Sequence, residues 1–136
     1  MRLQSRADRL SLGIVVFVTP VGLALVPQPP ADVAVHFSAS GTPDNYVPQF
    51  VAVLSVPVVT VATIAVLRGA ARFDPPSDPH SIDALVLGVT VLFGAVHLLV
   101  VGWNLGYRAP MSVVAVGAVI STVALAGYVV FRETTA

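Results

Sequence analysis

Histidine and carboxylate side chains are the groups in this sequence that could bind a metal or transfer protons. The chain has three histidines, seven acidic residues and no cysteine. No pair of them has the spacing of a helical metalloprotease motif, and no glycine-rich phosphate loop occurs. The closest grouping is His36 with Asp32 and Asp44 in one polar segment, but one imidazole with two carboxylates is not a distinctive zinc signature. We therefore predict no metal site, no cofactor and no enzymatic activity.

A second set of polar residues recurs every seven positions and would lie along one face of a helix. The set consists of Asp83, Thr90, His97 and Asn104. Ionisable groups inside a membrane helix are costly and by default indicate a function, such as a proton relay or a ligand contact. The structural alternative is that Thr90 bonds to its own backbone and neutral His97 bonds to a neighbouring helix. The sequence leaves both interpretations open.

The elements that must position these groups are apolar. Hydrophobic residues make up 56% of the chain and charged residues only 10%, which lies outside the usual range of soluble proteins. Four apolar windows approach the roughly 20 residues that a helix needs to cross a bilayer. Spans are predicted at residues 10–26, 48–67, 82–102 and 111–131. The predicted fold class is an all-α integral membrane protein, a bundle of four transmembrane helices in a lipid bilayer.

The distribution of arginine predicts how this bundle is oriented. Six of the seven arginines lie in the amino-terminal segment, the connection 68–81 and the carboxyl-terminal tail, which a four-span chain places on one side of the membrane. Arg108 lies between the third and fourth spans, on the opposite side. The positive-inside rule therefore places both termini and the 68–81 loop in the cytoplasm, with the 27–47 loop outside the plasma membrane. Since the arginines form no concentrated basic face, we expect no nucleic-acid partner.

The last two spans carry signals at their ends and on their surfaces. Ser81 is a plausible N-cap for the third helix, with Asp83 in the first turn, where the helix dipole favours a negative charge. In the fourth span small residues lie four apart, for example Gly117 and Ser121, which permits close approach between helices. This spacing predicts tight packing within the bundle or, as the alternative, a homodimer face.

The outer loop, residues 27–47, has the pattern of an ordered segment. Val33, Val35 and Phe37 alternate with more polar positions, which is typical of a short, half-buried extended strand. Gly41 and the following Pro43-Asp44 pair are turn signals. Such a loop either packs its apolar residues against the bilayer surface or binds a partner, since loops often carry function.

The run through the first span, this loop and the second span resembles the amino-terminal module of SdpI-like membrane proteins, a family labelled as domain of unknown function 1648. The resemblance covers residues 12–67. It rests on a pattern of prolines, a histidine-phenylalanine pair, then glycine, proline, aspartate and an aromatic residue. These are Leu25, Pro27, Pro30, Val33, Val35, His36, Phe37, Gly41, Pro43, Asp44 and Tyr46. The chain departs from the pattern at Ala34, where the family often has proline, and after Tyr46, where it often has a basic residue.

The resemblance implies an integral membrane protein, which in the best-known case of the family confers immunity to a secreted antibacterial protein and signals its presence by sequestering a cytoplasmic repressor. We accordingly predict that the outer loop binds an extracellular peptide, protein or envelope component. The predicted binding residues are His36, Phe37, Gly41, Pro43, Asp44 and Tyr46. Two alternatives remain: a small transporter or proton-coupled protein that uses the His97 stripe, and a structural subunit that binds another membrane protein.

Overall fold

The computed structural model describes residues 5–25 and 32–136. They form four helices and a two-stranded antiparallel hairpin between the first and second helix. In chain order the elements are α1 (Arg6–Leu25), β1 (Asp32–Phe37), β2 (Pro43–Pro48), α2 (Gln49–Phe73), α3 (Pro79–Asn104) and α4 (Met111–Thr135). The end of the predicted first span and the start of the predicted outer loop, residues 26–31, lie outside the described residues.

α3 is the central element of the bundle, because α1, α2 and α4 all pack against it. Its buried face includes Val86, Thr90, Gly94 and His97. The hairpin and the α3–α4 connection lie together at one end of the bundle, which we name the hairpin end. Ser5, the α2–α3 connection and the last turn of α4 lie together at the opposite end, which we name the terminal end.

The first helix begins earlier than the apolar pattern predicts, at Arg6 rather than at residue 10. The cause is a capping box. The Ser5 hydroxyl accepts a hydrogen bond from the Asp8 amide at 3.1 Å, and the Asp8 carboxylate accepts one from the Ser5 amide at 3.4 Å. Because these two bonds satisfy amides that would otherwise lack partners, polar residues extend the helix beyond its apolar part.

The predicted 68–81 loop is shorter in the structure, since only residues 74–78 are non-helical. α2 continues to Phe73 because its polar last turns contain no proline. Asp78 is the N-cap of α3 and accepts a hydrogen bond from the His80 amide at 2.9 Å, with Pro79 as the first helical residue. The prediction of Ser81 as N-cap and of Asp83 in the first turn is therefore wrong, because both lie further along the helix.

The described part of the predicted outer loop, from Asp32 onward, contains regular β structure, which the all-α prediction does not include. β1 pairs with β2 from Asp32 opposite Pro48 to Phe37 opposite Pro43, with irregular register around His36. The predicted extended segment is thus confirmed, but its turn is not where Pro43-Asp44 indicated. The chain reverses before Pro43, which is the first residue of β2, a position where a strand tolerates proline.

α2, α3 and α4 are each long and apolar enough to cross a membrane. They imply a lipid bilayer environment for the chain. α4 packs mainly on α3, and most of its surface faces outward. A side chain added at Gly117 would meet no other atom within 4 Å, so tight packing of this residue within the bundle is not found.

Candidate functional site

The hairpin is held to the bundle by Asn104, the last residue of α3. The side-chain oxygen of Asn104 accepts a hydrogen bond from the Ala34 amide at 2.9 Å, and its side-chain nitrogen donates to the Ala34 carbonyl at 2.9 Å. Both backbone groups of Ala34, which is fully buried, are thereby satisfied away from water. Ala34 was expected on the polar side of the strand, and its burial follows from this contact.

Apolar and aromatic contacts support the same face of the hairpin. Val33 is buried in a cluster with Val53 and Val101, so the predicted inward side of β1 is confirmed there. Phe37 meets the ring of Trp103 edge to face, with ring centroids 5.0 Å apart. The guanidinium of Arg108 lies 4.3 Å from the centre of the Trp103 ring. Phe37 thus connects the hairpin to the end of α3, and Arg108 of the α3–α4 connection packs on the same Trp103 ring.

The tip of the hairpin is a tight turn that reaches the start of α4. The Ser38 amide donates to the Thr42 carbonyl, and the Gly41 amide donates to the Ser38 carbonyl, both at 2.8 Å. Gly41 has a φ of 83°, a left-handed conformation that glycine adopts without strain. Its Cα approaches the first turn of α4, where an added Cβ would lie 3.5 Å from the Ser112 nitrogen. Gly41 thus shapes the backbone.

The predicted binding residues separate into two groups. Phe37, Gly41 and Pro43 are partly buried: Phe37 packs on Trp103, Gly41 forms the turn and Pro43 begins β2. His36 and Asp44 instead form an exposed pair, with Nδ1 of the imidazole 2.5 Å from a carboxylate oxygen and side chains 69% and 46% exposed. Tyr46, two residues after Asp44 on β2, is 53% exposed. These three exposed side chains of the hairpin, His36, Asp44 and Tyr46, are named the His36 surface.

The His36 surface has the chemistry of a recognition site. It offers a histidine, a carboxylate and a phenol, which can donate and accept hydrogen bonds, and an aromatic ring for apolar contact. Asp32 pairs across the sheet with Pro48 instead of joining the His36–Asp44 pair. Among the described residues no group of three metal-ligating side chains occurs.

The polar stripe of α3 is buried along its middle. Thr90 is fully buried and its hydroxyl donates to the Val86 carbonyl at 2.8 Å, which confirms the bond to its own backbone. His97 is 2% exposed, and its Nε2 has no hydrogen-bond partner within the described part of the chain. The same holds for the hydroxyl of Ser11 on α1. The expected bond from His97 to a neighbouring helix is thus not seen.

Gly22 of α1 makes room for His97. A Cβ at this glycine would lie 2.9 Å from the His97 Nε2 and 3.0 Å from a methyl group of Val53. The imidazole therefore packs directly against the backbone of α1. His97 is enclosed by α1 and α2 beneath the hairpin, which explains its burial.

At the terminal end, Asp83 contributes to an ion-pair network rather than to a helix cap. Arg68 donates to Asp8 at 2.8 Å, to Ser5 at 2.9 Å and to Asp83 at 2.5 Å. One guanidinium therefore connects α1, α2 and α3. Asp8 is buried and Arg68 is largely so, which makes the network part of the interior.

A second charged contact joins α3 to α4. Asp78 accepts from Arg132 at 2.5 Å, and Glu133 accepts from the Ser77 amide at 2.7 Å and from the Ser81 hydroxyl. The His80 amide and the Arg132 guanidinium hold the pKa of Asp78 below its ordinary value of 3.8. The start of α3 is therefore bound to the last turns of α4 in two ways: Asp78 binds Arg132, and Glu133 binds Ser77 and Ser81.

The apolar helices define the class of the chain as a membrane protein. Residues 13–61 match the family model of DUF1648, a domain of unknown function. The matched region includes most of α1, the hairpin and the first half of α2, so the resemblance seen in the sequence is confirmed over that part of the chain. No match was found among curated proteins or among solved structures.

Sequence reasoning missed how the site is supported. The sequence analysis placed Asn104 in the polar stripe of the third span and used Arg108 only for orientation, without a link from either to the hairpin. Asn104 and Ala34 are 70 positions apart, and no local pattern relates them. One local signal exists: tryptophan, asparagine and arginine lie close together at the end of an apolar helix. Such side chains can make both apolar contacts and hydrogen bonds to a neighbouring segment.

Proposed function

We propose that the chain is a four-span protein of the plasma membrane, with both termini in the cytoplasm, that recognises an extracellular peptide, protein or envelope component on its hairpin. Its role is binding, not catalysis. The observation that carries this proposal is the exposure of His36, Asp44 and Tyr46 on a hairpin whose backbone is held by Asn104.

The physical argument concerns preorganisation. A binding loop that is already ordered loses little conformational entropy when its partner arrives. A hairpin that only packed against the bilayer would expose apolar residues, whereas Asp44, Asn45 and His36 are polar and exposed. Tyr46 is of a residue type that is enriched at interface hot spots. The resemblance to SdpI-like proteins implies an immunity or signalling role for this recognition.

The proposal is tested by gentle purification of the chain from native membranes, followed by identification of what travels with it. We expect a bound partner with the unmodified chain and its loss in the H36A and D44A variants. H80A is the matched control, since His80 is an exposed histidine at the terminal end. A partner that remains with H36A and D44A, while all variants stay folded, would contradict the proposal.

A proton-coupled or transport function is the second candidate, favoured by the unpartnered buried atoms of His97 and Ser11. Buried polar groups normally have hydrogen-bond partners, and ionisable groups within membrane helices are expensive. Proton flux into liposomes that contain the chain, read with a pH-sensitive dye, tests this candidate. A flux abolished by H97L and retained in H36A favours transport. If neither variant changes flux or partner binding, a structural role in a membrane complex is favoured instead.

A further inference from the structure

A cleft of about 430 Å³ lies at the terminal end, between the ends of α1, α2 and α3. Its polar wall includes Arg68, Arg72 and Asp83, and the α2–α3 connection supplies an apolar wall that includes Pro75 and Pro76. The His36 surface lies at the opposite end of the bundle. The cleft is therefore a separate site, and its function does not depend on recognition by the hairpin.

Arg68 forms the inner part of this cleft and is already engaged. Its Nε donates to Asp8, and its Nη2 donates to Ser5 and Asp83. The guanidinium is largely buried, with its side chain 17% exposed. Arg68 thus fixes the position of Asp83 on the wall formed by α3.

Two charged groups at the cleft have unused hydrogen-bonding capacity. Arg72, about one turn after Arg68, is exposed and makes no hydrogen bond or ion pair with the described residues. Asp83 uses Oδ1 for Arg68, whereas its Oδ2 accepts no hydrogen bond from any residue in the described ranges, and a third of its side chain is exposed. The cleft therefore presents a cationic donor from α2 and a carboxylate acceptor from α3.

We propose that this cleft binds the head group of an aminophospholipid, a phosphate ester that carries a primary ammonium. Arg72 donates hydrogen bonds to the phosphate, for which the guanidinium fork is suited. The ammonium, which has only donors, donates to the Oδ2 of Asp83. A purely anionic head group could accept hydrogen bonds from Arg72, but its negative charge would lie close to the carboxylate of Asp83. A trimethylated ammonium has no N–H to donate to that carboxylate. Both kinds of head group therefore fit the cleft less well.

The position of the cleft indicates a lipid as the source of this chemistry. α2 ends at Phe73, which is 93% exposed, immediately after Arg72. The polar wall therefore begins where an apolar helix ends, which is the depth at which a bilayer changes from hydrocarbon to head groups. Free phosphoethanolamine carries the same charged groups without acyl chains, so the two sources can be separated by experiment.

The test is lipid retention by the full chain in native mass spectrometry, after incubation with equal amounts of phosphatidylethanolamine, phosphatidylcholine and phosphatidylglycerol. We expect retention of phosphatidylethanolamine to exceed that of the other two by about tenfold, and R72Q to reduce it by about tenfold through loss of a charge-assisted bond. R9Q is the control, because Arg9 is an exposed arginine that lines a different groove.

Three results would overturn the proposal: equal retention of the three lipids, an R72Q variant that retains as much as R9Q, or displacement of the lipid by an equal concentration of free phosphoethanolamine. D83N is measured as well, with thermal unfolding alongside, since Asp83 also binds Arg68. Because Arg72 makes no hydrogen bond or ion pair with the described residues, R72Q tests binding without removing a bond that holds the fold.

Discussion

The two ends of the bundle are held together by different chemistry. At the hairpin end, neutral hydrogen bonds from Asn104 and aromatic contacts of Trp103 fix the structure, and the ionisable pair of His36 and Asp44 faces outward. At the terminal end, charged groups are drawn into the interior, where Arg68 connects three helices. The charges of the terminal end mainly stabilise the fold, whereas those of the hairpin end are available to a partner.

The largest effect is expected when the interior charge at the terminal end is removed. R68M leaves the buried carboxylate of Asp8 and that of Asp83 without their shared cation. Removing one partner of a buried ion pair costs about 3–5 kcal/mol, and we expect a loss of up to this size because the interior loses its shared cation. The free energy of unfolding of the purified chain in a mild detergent measures the loss.

R9M is the control for this change, since Arg9 is exposed, and it should alter stability by less than about 0.5 kcal/mol. The combination of R68M with D8N and D83N should recover part of the loss, because the buried carboxylates are then neutral. An R68M variant as stable as R9M would show that the terminal end is not held by interior charge.

A smaller and more local effect is expected at the hairpin end from N104A. The Ala34 amide and carbonyl then lose their partners, and each unsatisfied buried group costs about 1–3 kcal/mol. Hydrogen exchange should accelerate in β1 and β2 while exchange in the last turn of α2 stays unchanged. T122V is the control, because Thr122 is exposed and donates only to its own helix. Unchanged exchange in the hairpin would contradict its fixation by Asn104.

The packing beneath the hairpin is tested by G22A. The added methyl group would lie within 3.0 Å of both His97 and Val53, which must move. Overpacking of this kind costs about 1–3 kcal/mol. G117A is the matched control, since it meets no other atom within 4 Å and alanine favours a helix by up to about 1 kcal/mol. A G22A variant as stable as G117A would contradict the close packing of His97 against the backbone of α1.

The smallest effect concerns pH and Asp78. Its pKa is lower in the folded chain than the ordinary 3.8, so the folded state favours the ionised carboxylate. The stabilisation is present above pH 3.8 and is lost as the pH falls from there through the lowered pKa. The difference in unfolding temperature between the unmodified chain and D78N should therefore shrink below pH 3.8. A difference that is constant from pH 6 to pH 3 would contradict this cause.

Much of the fold follows from the sequence because its causes are local. Apolar windows identified the helices, and alternation from Val33 to Phe37 identified β1. Helix ends were less predictable, since capping by Ser5 and Asp78 extends α1 and α3 into polar segments that resemble loops. The turn signal at Gly41 was correct, whereas Pro43-Asp44, which also has turn chemistry, begins β2 instead.

The sequence could not predict which of the candidate binding residues support the fold and which are exposed, because this depends on contacts between distant segments. Phe37 was grouped with His36 and Tyr46, but only the fold brings Trp103 to it. All four residues of the predicted stripe lie on α3. Its members nevertheless differ, since Asn104 binds the hairpin, Asp83 binds Arg68, and His97 lies buried between helices.

Site-specific photo-crosslinking in intact cells tests the recognition role of the His36 surface most directly. A photoreactive phenylalanine replaces Tyr46 or, as the control at the terminal end, Phe73, which is more exposed than Tyr46. We predict a specific adduct from position 46 that is absent from position 73 and disappears when H36A or D44A is added. No adduct at position 46, or one that H36A and D44A leave unchanged, would contradict recognition by this surface.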